Sequence, residues 1–500
     1  MDNLSSWLWY LSYTLVLVGL AGFGFHRLTI LFLYFRHGHK RPEPASRFSE
    51  LPKVTVQLPV FNEKHVVDRL LSSVAKLDYP KDKLQIQLLD DSTDETVEIS
   101  EKGIARLVSE GFDAHFIHRT DRTGYKAGAL ENGLQTATGD FVLILDADFV
   151  PNPELLQETI HHFTDEKIAL VQTRWGHLNR NFNLLTRIQA MFLDGHLELE
   201  QTARNRSGRF FTFNGTGGIW RKEAIADAGG WEHDTLTEDM DLSYRAQLKG
   251  WKFIFLKEVE TPAELPVDMA GFKNQQHRWT KGSIQCCKKC LPSIWRSKFP
   301  LHVKLEATAH LTSNYAYLLL VTLCFLIFPK NEWGPELSGW TRLAVDIPIF
   351  FFASVSVVLF YTAAQRALQP DRWWKEIIYL PLLLALGIGM SINNAKAVLE
   401  AVFNHETGFV RTPKYGIGAE KPAVSWKKSH YKALKNLTPV FELIFGLFFL
   451  FVVLDAAFAG NYPSAILLLP FPVGFFYTSL TSLGQMLNFQ RFVPASLNKD

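Results

Sequence analysis

Six long apolar runs divide this chain: Trp7–Phe25, His310–Phe328, Val345–Ala363, Ile377–Ile392, Val440–Phe458 and Ile466–Leu483. Each approaches the ~20 residues that cross a bilayer as a helix. Residues 46–300, between the first two runs, hold most of the charge instead. The pattern predicts an integral membrane protein in three parts: an N-terminal anchor (1–45), a water-soluble domain (46–300) and a C-terminal helical region (301–500).

Inside the soluble part the apolar stretches are short and stop at polar clusters. Val54–Phe61 predicts a strand ending at Asn62 and Glu63, and Gln85–Leu89 a second that runs into Asp90-Asp-Ser-Thr-Asp94. Leu143–Leu145, in a stretch that begins at Phe141, predicts a third that stops at Asp146 and Asp148. Lys64–Lys76 and Asp94–Glu110 read as helices between them. This alternation predicts an α/β domain with a parallel sheet and right-handed crossovers, whose ligands bind outside the carboxyl ends of the strands. The polar clusters fall at those ends.

Charge sets the orientation. His26, Arg27, Arg36, His37, His39, Lys40 and Arg41 follow the first run and mark the cytoplasmic side, so an uncleaved anchor enters from outside. Lys plus Arg (52) nearly balance Asp plus Glu (50), so no basic field argues for nucleic acid. Ile377–Ile392 has basic flanks on both sides, Arg366–Lys375 and Arg411–Lys435, which favours a helix along the cytoplasmic interface over a sixth span. Trp373 and Trp374 at its start suit the headgroup level. Five spans remain, and Leu184–Ala203 and Asn274–Trp295 read as further interfacial helices. Cys286, Cys287 and Cys290 fall on the reducing side with no zinc-spaced partner, so they read as packing residues.

The candidate chemistry is acidic. On an extended chain Asp146 and Asp148 project to the same side, and two such carboxylates persist together when a cation such as Mg²⁺ or Mn²⁺ lies between them and bridges to phosphate. Asp90 and Asp91 suit a nucleobase edge or a ribose, or else cap the next helix. Lys126, in Arg122-Thr-Gly-Tyr-Lys-Ala-Gly128, suits a diphosphate. Asp239, in Thr237-Glu-Asp-Met-Asp241, is either a cap or a general base. Arg278 and Trp279, in Gln275-Gln-His-Arg-Trp279, pair a guanidinium for pyrophosphate with an indole for a sugar ring, or else form a membrane-interface belt.

Together these motifs carry a resemblance. Val56-Gln-Leu-Pro-Val-Phe-Asn-Glu63, Leu89-Asp-Asp-Ser-Thr-Asp94, Asp146-Ala-Asp148, Thr237-Glu-Asp239 and Gln275-x-x-Arg-Trp279 resemble the processive family-2 glycosyltransferases. These are the cellulose, chitin and hyaluronan synthase relatives, and the match is nearest to plant cellulose-synthase-like mannan and glucan synthases. It extends through Gly124–Ala129, Ala169–Trp175, Phe213–Gly217 and Leu248–Phe253.

The resemblance implies a GT-A type domain with a Rossmann-like mixed sheet, beside about five spans and interfacial helices. It implies an inverting hexosyltransferase that polymerises a β-linked, β-1,4 mannan, glucomannan or glucan from GDP-mannose or UDP-glucose. Its partners would be that nucleotide sugar, the growing polysaccharide and membrane lipids, with Mg²⁺ or Mn²⁺ as cofactor. The domain would face the cytoplasm at an inner, plasma or Golgi membrane. The alternative is a non-processive transferase that places one hexose on a membrane lipid.

Residue by residue, Pro59, Phe61, Glu63, Asp90, Asp91, Lys126, Asp146, Gln275 and Arg278 would hold the donor, and Asp148 with Asp146 the metal. Asp239, beside Glu238, would take the acceptor's proton. Trp279 would be the floor for the terminal acceptor sugar, helped by Asn214, Gly215 and Thr216, with Asn214 standing where cellulose synthases have cysteine. Phe409-Val-Arg-Thr-Pro-Lys414 resembles a gating loop, within about 376–420, that would bring Thr412 and Lys414 to the diphosphate; on charge alone it is a basic membrane-surface loop. Asn314, Tyr315 and Tyr317 would line the exit channel.

Overall fold

Seven strands form one mixed sheet in the computed structural model, which describes residues 3–327, 351–406, 408, 411–418 and 437–492. They are β1 (Val54–Val60), β2 (Leu84–Asp90), β3 (Asp113–His118), β4 (Phe141–Ile144), β5 (Ile168–His177), β6 (Gly218–Arg221) and β7 (Lys252–Ala263). The order across the sheet is β3-β2-β1-β4-β6-β5-β7. β1, β2, β3 and β4 run parallel, β6 runs antiparallel to both of its neighbours, and β5 pairs parallel with β7.

The sheet is covered on both faces, as parallel sheets are. Val54, Val56 and Leu58 alternate onto one face and pack against Leu70, Leu71 and Leu107 of the covering helices. Thr55 and Gln57 turn to the other face, where a buried polar group needs a partner. Thr55 Oγ1 donates to Gln85 Oε1 at 2.9 Å and Gln57 Nε2 to Gln87 Oε1 at 3.0 Å, so these side chains pair across the strands.

The helices begin where local chemistry allows. Thr96–Ser109 starts two residues after Asp94, whose carboxylate accepts from the Thr96 amide at 2.9 Å. Leu184–Asp194 opens with a capping box between Asn183 and Thr186. That helix continues through a π turn, Gly195–Gln201, into Thr202–Arg206. Glu238–Leu248 carries Glu238, Asp239 and Asp241 in its first turn, the favourable end of the helix dipole for carboxylates.

Among the described residues three helices are long and apolar enough to cross a membrane: Leu4–His37, Thr438–Phe458 and Tyr462–Leu487. The count rises to five if each of two bent pairs is one span. The pairs are Leu301–Thr312 with Tyr315–Leu326, at 56°, and Trp373–Gly389 with Ser391–Val402, at 40°. The Ile377–Ile392 run therefore breaks at Met390 instead of forming one straight rod. Gly389 makes room for the last span there, since a Cβ would stand 2.4 Å from the Gly474 carbonyl. Phe328 of the second predicted span, Val345–Phe350 of the third, Phe409 and Val410 of the loop motif, and most of the Arg411–Lys435 flank lie outside the described residues.

One local expectation needs correction, and one is met. Asp146 and Asp148 lie beyond β4 in a turn closed by the Phe149 amide on the Asp146 carbonyl, 3.0 Å, so strand alternation is not what brings them together. The four cysteines are free and buried, and Cys286, Cys287 and Cys290 pack with Phe210, Tyr244 and Ile294.

Candidate active site

The carboxyl ends of β1, β2 and β4 open on a cavity of about 210 Å³. Pro59, Phe61 and Glu63 reach it from β1, Asp91 from β2, and Asp146 and Asp148 from the turn after β4. Lys126 enters on the first turn of the Tyr125–Leu134 helix, and Asn214 and Gly215 on the loop before β6. Glu238 and Asp239 start their helix here, and Gln275, Arg278 and Trp279 come from one face of the Met269–Arg296 helix. Arg411, Thr412 and Lys414 close the rim from the far end of the chain.

Charges meet across this space in a fixed pattern. Lys126 Nζ donates to Asp146 Oδ1 at 2.5 Å and to the Gly215 carbonyl at 2.9 Å. Burial lowers its proton affinity, but Asp146, Glu238 and Asp239 outweigh that and hold Lys126 above its ordinary range. Lys414 Nζ donates to Asp148 Oδ2 at 2.6 Å, an oxygen that also accepts from the Glu264 amide at 3.0 Å. Arg411 donates to Glu63 at 2.6 Å and to the Phe61 carbonyl at 3.0 Å. Burial pushes Glu63 up to about 8 even against those cations.

Asp91 accepts both bonds of a fork from Arg119, at 2.8 and 2.7 Å. Arg122 lies 3.3 Å above the Phe61 ring and faces the same carboxylate. Burial pushes Asp239 up to about 7, the Glu238 charge adds to this, and Lys126 opposes it. That value suits proton transfer near neutral pH. Gly215 has φ +80°, and a Cβ on it would lie 2.9 Å from Asp239 Oδ2. The backbone must pass so close to the carboxylate that a side chain is excluded.

Two expected contact residues are not in the wall. Asp90 is fully buried behind it and bonds His118 Nδ1 at 2.7 Å, so it braces the strand end; it caps no helix. Thr216 is buried too, and its hydroxyl accepts from the Asp146 amide at 2.8 Å. The other expected residues all line the cavity. Arg119, Arg122, Arg411 and Glu264 were missed, because an arginine in a loop announces nothing about which distant carboxylate it will meet.

The carboxylate pair passes a chemical test for a divalent cation. Both are hard oxygen donors in one cavity, and both already have a lysine nitrogen at hydrogen-bonding distance. A second acidic group, Glu232, Asp234 and Asp241, has its oxygens within 4.8 Å of one another. Lys289 sits among them at 2.6, 2.7 and 3.0 Å, and Arg245 stands 2.8 Å from Asp241 and 3.6 Å from Glu232, so two cations already meet that charge.

A further cavity of about 290 Å³ adjoins the first and shares Trp175, Asn214, Asp239, Gln275 and Trp279 with it. It runs between helices past Gln276, Thr280, Ser283, Asn314, Tyr317 and Met390. Tyr315 is turned away and packs near Ile284 and Val398.

A mixed sheet with acidic strand ends, a helix that starts at Thr237-Glu-Asp239 and several helices apolar enough to cross a membrane define a GT-A type glycosyltransferase. The chain belongs to glycosyltransferase family 2, with the cellulose-synthase-like synthases, and is a hexosyltransferase. The family model "Glycosyltransferase like family 2" matches residues 52–282. Glucomannan 4-beta-mannosyltransferase 2 of Arabidopsis thaliana is 35% identical over 412 residues, 79% of this chain and 72% of the relative. Glucomannan 4-beta-mannosyltransferase 7 of the same plant is 31% identical over 497 residues, 93% of this chain and 84% of the relative. In fold, the chain resembles a Pyrobaculum calidifontis mannosyltransferase solved with GDP-Man and Mn²⁺ (TM-score 0.54, 21% identity, 79% of this chain and 100% of that one).

Proposed function

We propose that this enzyme builds a β-1,4-linked mannan or glucomannan from a nucleotide sugar, GDP-mannose before UDP-glucose, and passes the chain through the second cavity. The observation that carries this reading is that Asp239 and Trp279 stand in the wall of both cavities. A donor in the first cavity and a chain end in the second would meet at the base. The names of the relatives support mannose as the transferred sugar.

Asp91 and the arginines beside it form the nucleoside end, and Arg278, Thr412, Lys126 and Lys414 the diphosphate end. The Thr412 hydroxyl is buried with no hydrogen-bond partner among the described residues, which suits a ligand oxygen. Asp148 and Asp146 would hold Mg²⁺ or Mn²⁺, whose charge offsets that of the leaving diphosphate. The lysines now on those carboxylates would turn to the phosphates. Asp239 accepts the proton of the attacking hydroxyl, and attack from the face opposite the nucleotide inverts the anomeric centre. Trp279 offers its indole to the apolar face of the terminal sugar.

We assign the domains as drawn from the sequence, with residues 46–300 on the cytoplasmic side and the Trp373–Gly389 helix at that interface. A cysteine at Gly408 should be labelled only by reagents that enter the cell. The deciding experiment incubates purified protein with each labelled nucleotide sugar and digests the product with linkage-specific hydrolases. A polymer cut by β-mannanase supports the reading. A single hexose on lipid overturns it.

A further inference from the structure

The π turn Gly195–Gln201 widens the helix where it borders the second cavity, and π turns bring residues five apart onto one line. His196 and Gln201, five apart, both approach Asn214 Oδ1, at 3.4 and 2.8 Å. The other ring nitrogen, His196 Nδ1, stands 3.0 Å from Glu200 Oε2. Glu200 is held by Arg204 at 3.1 Å, Arg204 by Glu306 at 3.0 Å, and Glu306 by His26 of the first membrane helix at 3.0 Å. Burial raises the proton affinity of Glu200, but Arg204 and His196 outweigh it and keep the carboxyl ionised.

This arrangement determines what the imidazole offers. One ring nitrogen faces a carboxylate. The other faces an amide oxygen, identified as oxygen because Gln201 already donates to it. Glu200 can only accept, so it selects a hydrogen on Nδ1; a neutral ring then presents Nε2 as an acceptor and a protonated ring presents it as a donor. The bond to Glu200 is anchored through four side chains into the spans, whereas 3.4 Å to Asn214 is long and easily exchanged. Stacking on Trp279 holds a sugar ring without reading its hydroxyls. A fixed polar nitrogen that lines the same cavity supplies what stacking lacks.

We propose that His196, oriented by Glu200, reads the acceptor: its Nε2 leaves Asn214 and hydrogen-bonds a ring hydroxyl of the terminal sugar, which sets the register of the attacking hydroxyl at Asp239. This rests on the reading of the second cavity as the acceptor channel. The test uses full-length protein with labelled GDP-mannose and β-1,4-mannotetraose as acceptor. His196→Ala and Glu200→Gln should raise the mannotetraose KM about tenfold, the usual cost of leaving one buried hydroxyl without its partner. The nucleotide-sugar KM and the slow hydrolysis of the nucleotide sugar without acceptor should stay at wild-type values. His196→Gln keeps a hydrogen-bonding group and should recover part of the loss. An unchanged mannotetraose KM in His196→Ala overturns the proposal, as does equal loss of acceptor-free hydrolysis, which marks a structural role. If the wild-type protein extends no mannotetraose at all, the channel reading fails first, and the proposal with it.

Discussion

Lys414 Nζ lies 2.6 Å from Asp148 Oδ2, although 266 residues separate the two in the chain. The rim of the site thus places a cation on one of the two carboxylates that we propose hold the metal. Asp148 is 1% exposed, so its charge needs a partner in every state of the enzyme.

The first prediction follows from that need. Lys414→Met should destabilise the metal-free protein by about 3–5 kcal/mol, the cost of a buried charge left alone. Added Mn²⁺ should restore much of the loss, so its effect on Tm is larger in the variant than in the wild type. Chelator should abolish transfer in both. Full transfer in excess EDTA, or an Mn²⁺ effect that is equal in the two proteins, would sink the assignment.

Asp239, pushed up to about 7 by burial and Glu238, sets the pH dependence. A base must be deprotonated, so activity should fall as pH drops below about 7. The stability effect has the opposite sense. The folded value lies above the unfolded ~3.9, so stability is full below pH ~4 and is lost as pH rises through 7. Asp239→Asn should cut turnover roughly 10²–10⁴-fold while nucleotide-sugar binding survives. Its Tm should exceed that of the wild type at pH 8, with the gap closing near pH 4. A variant less stable at pH 8 would show that the carboxylate works as a helix cap.

Much of this site was legible because its acidic residues end apolar runs. β4 reads as a continuous apolar stretch, whereas β1 and β2 interleave apolar residues with Thr55, Gln57, Gln85 and Gln87, which are buried by pairing across the strands. β3 was not read, since Asp113-Ala-His-Phe-Ile-His118 forms the sheet edge and only Ala114 in it is buried. β6 has four residues and announces nothing. Asp90 and Asp91 look alike in sequence, yet neighbours on a strand end point opposite ways, and one was lost to the interior. The pairing of Arg411 with Glu63 depends on the chain returning from the membrane region, which no local pattern encodes.

Gly215 tests how tightly the base is enclosed. Its φ of +80° already costs an L-residue about 1–2 kcal/mol, and the added methyl would press on Asp239 Oδ2 at 2.9 Å. Gly215→Ala should therefore lower kcat by at least tenfold, with the nucleotide-sugar KM changed far less. Isothermal titration with the nucleotide diphosphate separates the two. Equal loss of binding and turnover would place the damage in the donor cavity instead.

Trp279 separates a polymerase from a single-sugar transferase. It lines both cavities, on the same helix as Gln275 and Arg278, so its ring stands where the donor space meets the interhelical one. Repeated addition requires the product of each transfer to stay bound and then move forward by one sugar. An indole face holds a sugar through C–H surface and specifies no hydroxyl pattern, so the chain can slide without first breaking directional bonds. Beyond it, Asn314 and Tyr317 continue a polar and aromatic wall. Trp279→Ala should abolish long polymer but keep nucleotide-sugar binding and slow hydrolysis of the donor. Product length, read by mass spectrometry, decides the matter. Wild-type length in the variant would remove Trp279 from the path of the chain. Loss of donor hydrolysis along with polymer would assign it to the donor side.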